Sequence, residues 1–418
     1  MSAIDSLQEE LSKRVAYGYN QHLIVGEILN GDTTFTYAGD YPFKAEETLF
    51  EIGSVTKLFT AHLTFILQQE GLLSVEDHVD RYLPTSVNIK PEMRLYHLLT
   101  HTSGIQDPKS NHYINPITGN TVPAAEFTLD DLYAHLGKQV LNPGEKMIYS
   151  NLGYALLGHI LENITGKDYE TLLQEKILTR AKMYSTYALL PKKDENRLVK
   201  GTWMGMPAPY WHMILPAYAS LKSTAKDLTL YLEALFLKLL WGKQIVHNLC
   251  KPFSPIPDYP LIIAGCGFTL DKRYGGEFYA AGGKTLGFSS FMGFDLSKQK
   301  GVVLLTDAHS LDNLGHHLLH ADFPLLPLYQ KSPQPFDVLQ RYEGKYANEE
   351  GYFSIRAKKD HLELLEEGVR PIIFFPKGPD QFFCYDLNSA GTFIHFQDNK
   401  LFLYSEDILV DTFILSSN

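Results

Sequence analysis

A mixed α/β protein of the α+β type, followed by a small all-β unit, is the fold class this sequence predicts. Three observations carry the prediction. An apolar stretch from Val55 to about Gln69 has the length of a helix and stops at Gly71. Four runs between Ile262 and Asp307 alternate apolar with polar residues and end in turns, as antiparallel strands do. Beyond Phe336, only short strand-like runs remain up to Asn418.

Taken in order, residues 4 to 16 read as an amphipathic helix rich in Glu and Lys. His22 to Ala38 follows as a hairpin, its two arms joined at Asn30-Gly31-Asp32, residues that tolerate the positive φ of a tight turn. Residues 73 to 180 are predicted mainly helical, broken by Pro84, Pro91, the Thr102–Gly104 turn and a long loop at 106 to 127. That loop carries Pro108, Pro116, Gly119 and Pro123, and loops of such length often border substrate. Ile262–Leu270, Phe278–Ala281, Ser289–Asp295 and Gly301–Asp307 are the predicted strands of the main sheet. Pro324, Pro327, Pro333 and Pro335 then mark a linker. After it come the β runs Tyr352–Ala357, His361–Leu365, Pro371–Phe375, Phe382–Asp386, Phe393–Gln397 and Leu401–Tyr404, which suit a small antiparallel barrel or sandwich. The expected organisation is therefore a main domain at 1–325, a linker at 326–335 and a β domain at 336–418.

Composition removes several function classes. The 418 residues carry a formal charge of −11 at pH 7, and no basic stripe offers counterion release to nucleic acid. Cys250, Cys266 and Cys384 lack metal-ligand spacing and do not form a disulfide framework. No stretch reaches the ~18 uninterrupted apolar residues of a membrane span. Met1 to Asp5 shows neither a positive n-region nor an apolar h-region, so a cytoplasmic address is the expectation. No cofactor is implied. His316 and His320 share a helical face ahead of Asp322, with His309 and His317 nearby; a solvated helix face is the favoured reading over a metal site. No residue pattern specifies an oligomeric state.

The chemistry-bearing residues fall in three clusters. Ser54 and Lys57 lie three apart at the start of the apolar helix, a spacing that turns both side chains to one face. A serine hydroxyl needs such a neighbour to take its proton at neutral pH. Tyr149-Ser150-Asn151 can point a phenol and an amide into one cleft. Gly282-Gly283-Lys284-Thr285-Leu286-Gly287 is a glycine-rich, strand-like segment where backbone N–H groups can approach a substrate oxygen.

In this order the clusters resemble the S-x-x-K, Y-x-N and K-T-G set of penicillin-recognising serine enzymes. The connecting text agrees: Leu98-Leu99-Thr100-His101-Thr102-Ser103-Gly104 is similar to that family's "LLTHTSG", and Ser223-Thr224-Ala225-Lys226-Asp227-Leu228 to its "STAxDL". The chain thus resembles the serine β-lactamase-like superfamily over roughly residues 15 to 320, on its class C, family VIII esterase and D-aminopeptidase side. Tyr342-Glu343-Gly344-Lys345-Tyr346 is similar to the opening of the lipocalin-like tail domain of several such hydrolases. The implied fold is an antiparallel sheet flanked by helices, with a helical subdomain and the tail barrel.

The resemblance implies Ser54 as nucleophile, Lys57 as its proton partner and Tyr149 as general base or relay. It implies an oxyanion site from the backbone N–H groups of Ser54 and Lys284, and substrate contacts from Asn151, Gly283, Lys284 and Thr285. One departure stands out. Anchored on Thr285, Gly287 and Phe288, the third triplet reads Ala281-Gly282-Gly283, so alanine stands where the family has a lysine or histidine. Alanine neither binds a substrate carboxylate nor supports a proton network. Lys284 is the candidate replacement for that cation. His101 reads as a helix-end residue bonding the backbone, while Trp203, Tyr210 and Trp211 suit either a pocket wall or ordinary packing. The sequence therefore points to a serine hydrolase acting on an ester or small amide through an acyl-enzyme, with a small molecule or peptide as substrate. The alternatives are a penicillin-binding-protein-like thioesterase or D-peptidase performing acyl transfer, and a catalytically impaired binding protein.

Overall fold

The computed structural model describes residues 3–41, 43–107, 128–137, 141–203, 206–211, 213–256, 259–308, 313–325, 328–349, 351–366, 371–384, 392–405 and 408–416. Most of the predicted loop at 106–127, and His309, lie outside the described residues.

Helix α1 (Ala3–Ala16) leads into the hairpin of β1 (Leu23–Leu29) and β2 (Asp32–Ala38), which pair in register from Leu23 opposite Ala38 to Leu29 opposite Asp32. Asn30 and Gly31 turn the chain with φ of 53° and 93°, the left-handed geometry that a two-residue hairpin loop demands. The helical elements follow, chief among them α2 (Thr56–Gln69) and α3 (Asn151–Thr165). The chain then returns to the sheet through β3 (Pro252–Ile256), β4 (Tyr259–Gly265), β5 (Thr269–Asp271), β6 (Phe278–Lys284), β7 (Ser289–Asp295) and β8 (Lys300–Thr306). Among the described residues these eight strands form one antiparallel sheet in the order β2-β1-β8-β7-β6-β5-β4-β3. Because β1 and β8 are neighbours, the two ends of this region close on one another.

Side chains on the sheet alternate between two layers, as the period of a pleated strand requires. Ile24, Ile28, Met292, Phe294, Val303 and Leu305 join the large core that contains α2 and α3. Leu23, Val25, Phe291, Val302 and Leu304 face the other way and are covered by Leu7 and Leu11 of α1, with Leu314, Leu319 and Phe323. Helix α2 is buried from Thr56 to Leu67, a central rod rather than a surface helix. Thr60 Oγ1 in its interior donates to Ala217 O at 2.5 Å and meets the Tyr169 hydroxyl at 2.6 Å, so its polar atoms are satisfied.

The strand expectations hold in place and shift at the ends. The run Ile262–Leu270 resolves into β4 and β5, and β6 extends three residues beyond Ala281 to Lys284. Strand β3 has no counterpart in the sequence reading: Pro252 and Pro255 argue against a strand, yet it sits at the sheet edge, where a missing N–H is tolerated, and its pairing with β4 is irregular at both prolines. Within the stretch predicted mainly helical, residues 73–94 hold a single short 3₁₀ turn, Val79–Tyr82.

Past the linker, eight strands from β9 (Gly344–Ala347) through β10 (Tyr352–Ala357), β11 (Leu362–Leu365), β12 (Ile372–Gly378), β13 (Gln381–Cys384), β14 (Thr392–Gln397) and β15 (Lys400–Ser405) to β16 (Ile408–Leu415) close into a barrel. Tyr346 opposite Leu415 makes the closure. Phe353, Leu362, Phe374, Phe382, Ile394 and Leu401 fill the interior. On the outside, Phe375, Phe383 and Phe393 are buried by Tyr19 and Tyr329. The proline-rich segment is therefore packed down: Ser332 N donates to Pro376 O at 2.7 Å, and Tyr329 N donates to the Tyr19 hydroxyl at 2.9 Å.

The His316 and His320 face is not solvated as predicted. His316 lies in an aromatic cluster, its ring stacked 5.2 Å from that of Phe323 and tilted 4.8 Å from that of Phe291. Burial holds its imidazole down at about 4. Helix-face periodicity could not show that Phe323 folds back over it.

Candidate active site

Ser54 stands in a single 3₁₀ turn, Gly53–Val55, that opens into α2. Gly53 has φ 50°, and a Cβ on it would meet Lys284 N at 2.7 Å and Lys284 O at 2.6 Å. From the opposite side, a Cβ on Gly283 would fall 2.0 Å from Ile52 O and 2.9 Å from Ser54 N. Two backbone stretches thus pack against each other at glycines, which brings Ser54 N beside the end of β6. The Ser290 hydroxyl locks the contact by donating to Ile52 O at 2.7 Å.

The three polar side chains of the first two clusters meet. Lys57 Nζ donates to Ser54 Oγ at 3.0 Å, and the Tyr149 hydroxyl donates to the same oxygen at 2.8 Å. Lys57 Nζ also donates to Asn151 Oδ1 at 2.7 Å and to Tyr218 O at 2.9 Å. Its ammonium lies 4.9 Å from the Tyr149 ring centre and 5.6 Å from that of Tyr218. Lys57 is only 5% exposed, and this desolvation lowers its pKa to about 7 against the support of the Asp107 carboxylate. At neutral pH a large fraction of the amine is therefore unprotonated. Tyr149 remains 49% exposed, so the trio opens to solvent on the phenol side.

The Tyr149 segment is strapped from below. Ile148 N donates to His101 O at 2.7 Å, Gly144 N to Thr102 O at 2.7 Å, and Ser150 N to His101 Nδ1 at 3.1 Å. The His101 ring lies 4.4 Å from that of Tyr149. Burial, with the Lys57 charge adding to it, depresses this imidazole to about 3, so it stays neutral and serves as a backbone acceptor. Helix α3 begins at once: Ser150 is its cap, accepting from Gly153 N at 2.9 Å.

Some site residues take positions other than those expected. Asn151, expected to contact substrate, is held at both ends of its amide, Oδ1 by Lys57 and Nδ2 by Asp107 at 2.8 Å. Thr285 is buried, with its hydroxyl against the Glu51 carboxylate, so it presents no surface to an incoming molecule. The Lys284 side chain is exposed at the end of β6. Ala281 shares a strand face with Gly283, two residues on, and packs against the main core. Tyr210 stacks 6.3 Å from Phe288, Trp211 N donates to Glu51 Oε1 at 2.6 Å, and both side chains are partly buried against the main core; the Trp203 side chain is outside the described residues. The sequence reading missed Asp107 altogether. It also missed the buried pair of Glu51 with Lys222, whose ammonium donates to Trp211 O and Ser220 O at 2.9 Å each. Adjacent positions of two short paired segments, Phe50–Glu51 and Lys222–Ser223, set that pair.

No helix among the described residues is long and apolar enough to cross a membrane. No group of three or more His, Cys, Asp or Glu side chains is gathered to hold a metal among them. All three cysteines are buried and unbridged.

A mixed fold with a serine and a lysine paired at the base of a buried helix defines the class of β-lactamase-fold proteins. The family model described as Beta-lactamase matches residues 24–321, and the chain belongs to that family, whose members are serine hydrolases. Penicillin-binding protein 4* of Bacillus subtilis (strain 168) is 24% identical over 428 residues, covering 93% of this chain and 94% of that protein. A Beta-lactamase of Providencia stuartii is 31% identical over 194 residues, covering 45% of this chain and 47% of its own. In fold, the octameric penicillin-binding protein homologue from Pyrococcus abyssi is similar over 100% of both chains, with TM-score 0.68 and 24% identity.

Proposed function

We propose that the protein is a serine hydrolase that forms an acyl-enzyme at Ser54 on esters or small amides lacking an obligatory carboxylate. The supporting observation is the partner set of Lys57. Asn151 Oδ1 and Tyr218 O are acceptors only, so a neutral Lys57 gives them its two hydrogens and turns its lone pair to the Ser54 hydroxyl. The amine can then take the serine proton as Oγ bonds to the substrate carbonyl carbon. The Tyr149 hydroxyl, bonded to Oγ, is placed to pass that proton to the departing oxygen or nitrogen as its bond to the acyl carbon breaks. Water then adds to the acyl carbon as Lys57 takes its proton, and Lys57 returns that proton to Oγ as the bond from the acyl carbon to Oγ breaks, which restores the serine hydroxyl and the neutral amine. The backbone N–H groups of Ser54 and Lys284 are the candidate donors to the developing oxyanion.

Ala281 supports the restriction to substrates without an obligatory carboxylate, because its strand face is the one that reaches Ser54 through Gly283. The penicillin-binding-protein and Beta-lactamase names of the relatives favour peptide or lactam acyl groups as the second reading. A fluorophosphonate probe and p-nitrophenyl esters test the proposal. Labelling is expected in the wild type and absent in Ser54→Ala, with ester turnover exceeding penicillin acylation. No labelling and no turnover would leave a binding protein instead.

A further inference from the structure

Lys57 can aim its lone pair at Ser54 only while the Asn151 amide presents oxygen, not nitrogen, to it. If that amide were flipped, its NH₂ would face Nζ and claim the lone pair. What holds it is Asp107, at the edge of the loop that follows the Thr102–Gly104 turn. Its Oδ2 accepts from Asn151 Nδ2 at 2.8 Å and from Asn151 N at 3.0 Å. Its Oδ1 accepts from Leu152 N at 3.0 Å and from Ser150 Oγ at 3.4 Å. A carboxylate so placed sits on the N-terminal turn of the fifteen-residue α3, where the N–H groups and the helix dipole favour an anion. Because an ionised carboxylate only accepts, the NH₂ end of Asn151 must face it and the oxygen must face Lys57.

We propose that Asp107 is a positioning residue that fixes the orientation of the Asn151 amide and, through it, turns the Lys57 lone pair onto the Ser54 hydroxyl. The inference rests on Lys57 acting as the base at Ser54. Asp107 also adds the negative charge that favours protonated Lys57. The other groups facing Lys57 are the Tyr149, Tyr154 and Tyr218 rings and the neutral His101. Asp107 is therefore the anion whose loss Lys57 feels.

The test is the pH dependence of Ser54 labelling by a fluorophosphonate in the full-length wild type, Asp107→Asn and Asp107→Glu. The wild-type rate is expected to rise through a midpoint near the Lys57 value of about 7. Asp107→Asn is expected to move that midpoint down by about one unit, because a supporting charge is gone. Its plateau rate should fall about 10- to 100-fold, because Asn151 is free to turn. Asp107→Glu, which keeps the charge, should hold the midpoint near the wild-type value. A role limited to capping α3 would lower the melting temperature and leave the Asp107→Asn plateau rate at the wild-type value, whatever the midpoint does; that result overturns the inference and leaves the hydrolase reading standing. Failure of both variants to fold would equally mark Asp107 as a cap and overturn it. A wild type that does not label at all removes the hydrolase reading itself.

Discussion

At Lys57, one buried amine carries a stability cost that depends on pH. Its pKa in the folded protein is about 7, against ~10.4 in an unfolded chain. Between those values the unfolded state binds a proton that the folded state has lost, so stability contributed by this residue rises with pH from about 7 toward ~10 and is lost again as pH falls to 7. The slope is about 1.4 kcal/mol per pH unit at most. Lys57→Met abolishes the titration, so the wild type should gain on it steadily from pH 7 to 10 in urea melts; parallel curves would show that Lys57 is not titrating there. Ser54 and Lys57 were legible from their i, i+3 spacing, and Tyr149, 95 positions from Ser54, from the resemblance of Tyr149-Ser150-Asn151 to the Y-x-N motif. Asp107 was not, since a lone acidic residue beside a proline-rich loop carries no local signal, and its partner Asn151 is 44 positions away. Thr285 needed the fold for a related reason: the motif places the residue, but only the structure shows the Glu51 carboxylate beside its hydroxyl.

The strand β6 and the turn at Ser54 form a joint whose tolerance is set by atoms rather than by motif. Gly283→Ala would drive a methyl to 2.0 Å from a backbone oxygen, so one of the two stretches must move. That overpacking should cost about 1–3 kcal/mol and slow Ser54 labelling at least about tenfold, since Ser54 N is displaced with it. Unchanged melting and labelling would mean that the joint is loose. On the same strand face, Ala281→Lys places a cation two residues before the glycine that meets Ser54. It should raise acylation by carboxylate-bearing penicillins by about tenfold or more while ester turnover stays within a few-fold of the wild type; equal effects on both would count against a carboxylate role for this position. The bounds of β7 match the prediction, although its seven residues are all buried and do not alternate. The prediction failed at β3, because proline speaks against strands in general and only the place of a strand in the sheet decides whether its amide is missed.

Across the whole molecule, the barrel is joined to the main sheet by a small aromatic contact rather than by the linker alone. Phe383 is 1% exposed where it meets Tyr19 and Tyr329. Phe383→Ala should cost about 3–5 kcal/mol, and calorimetry should then show the barrel melting ahead of the main sheet; one unsplit transition would mean the contact does not couple them. The all-β character of the tail was legible from its short alternating runs, which alone left barrel and sandwich open; the likeness of Tyr342–Tyr346 to a lipocalin-like opening pointed to the barrel, which the pairing of Tyr346 with Leu415 closes. The same logic of unfinished borders applies to the open sheet. One margin, β2, has α1 lying against it, with the Gln8 side chain donating to Tyr37 O at 3.0 Å. The other is β3, where two of five residues have no hydrogen on nitrogen to offer. A neighbouring molecule that tried to extend the sheet there would find two rungs missing, which works against pairing between copies along this border.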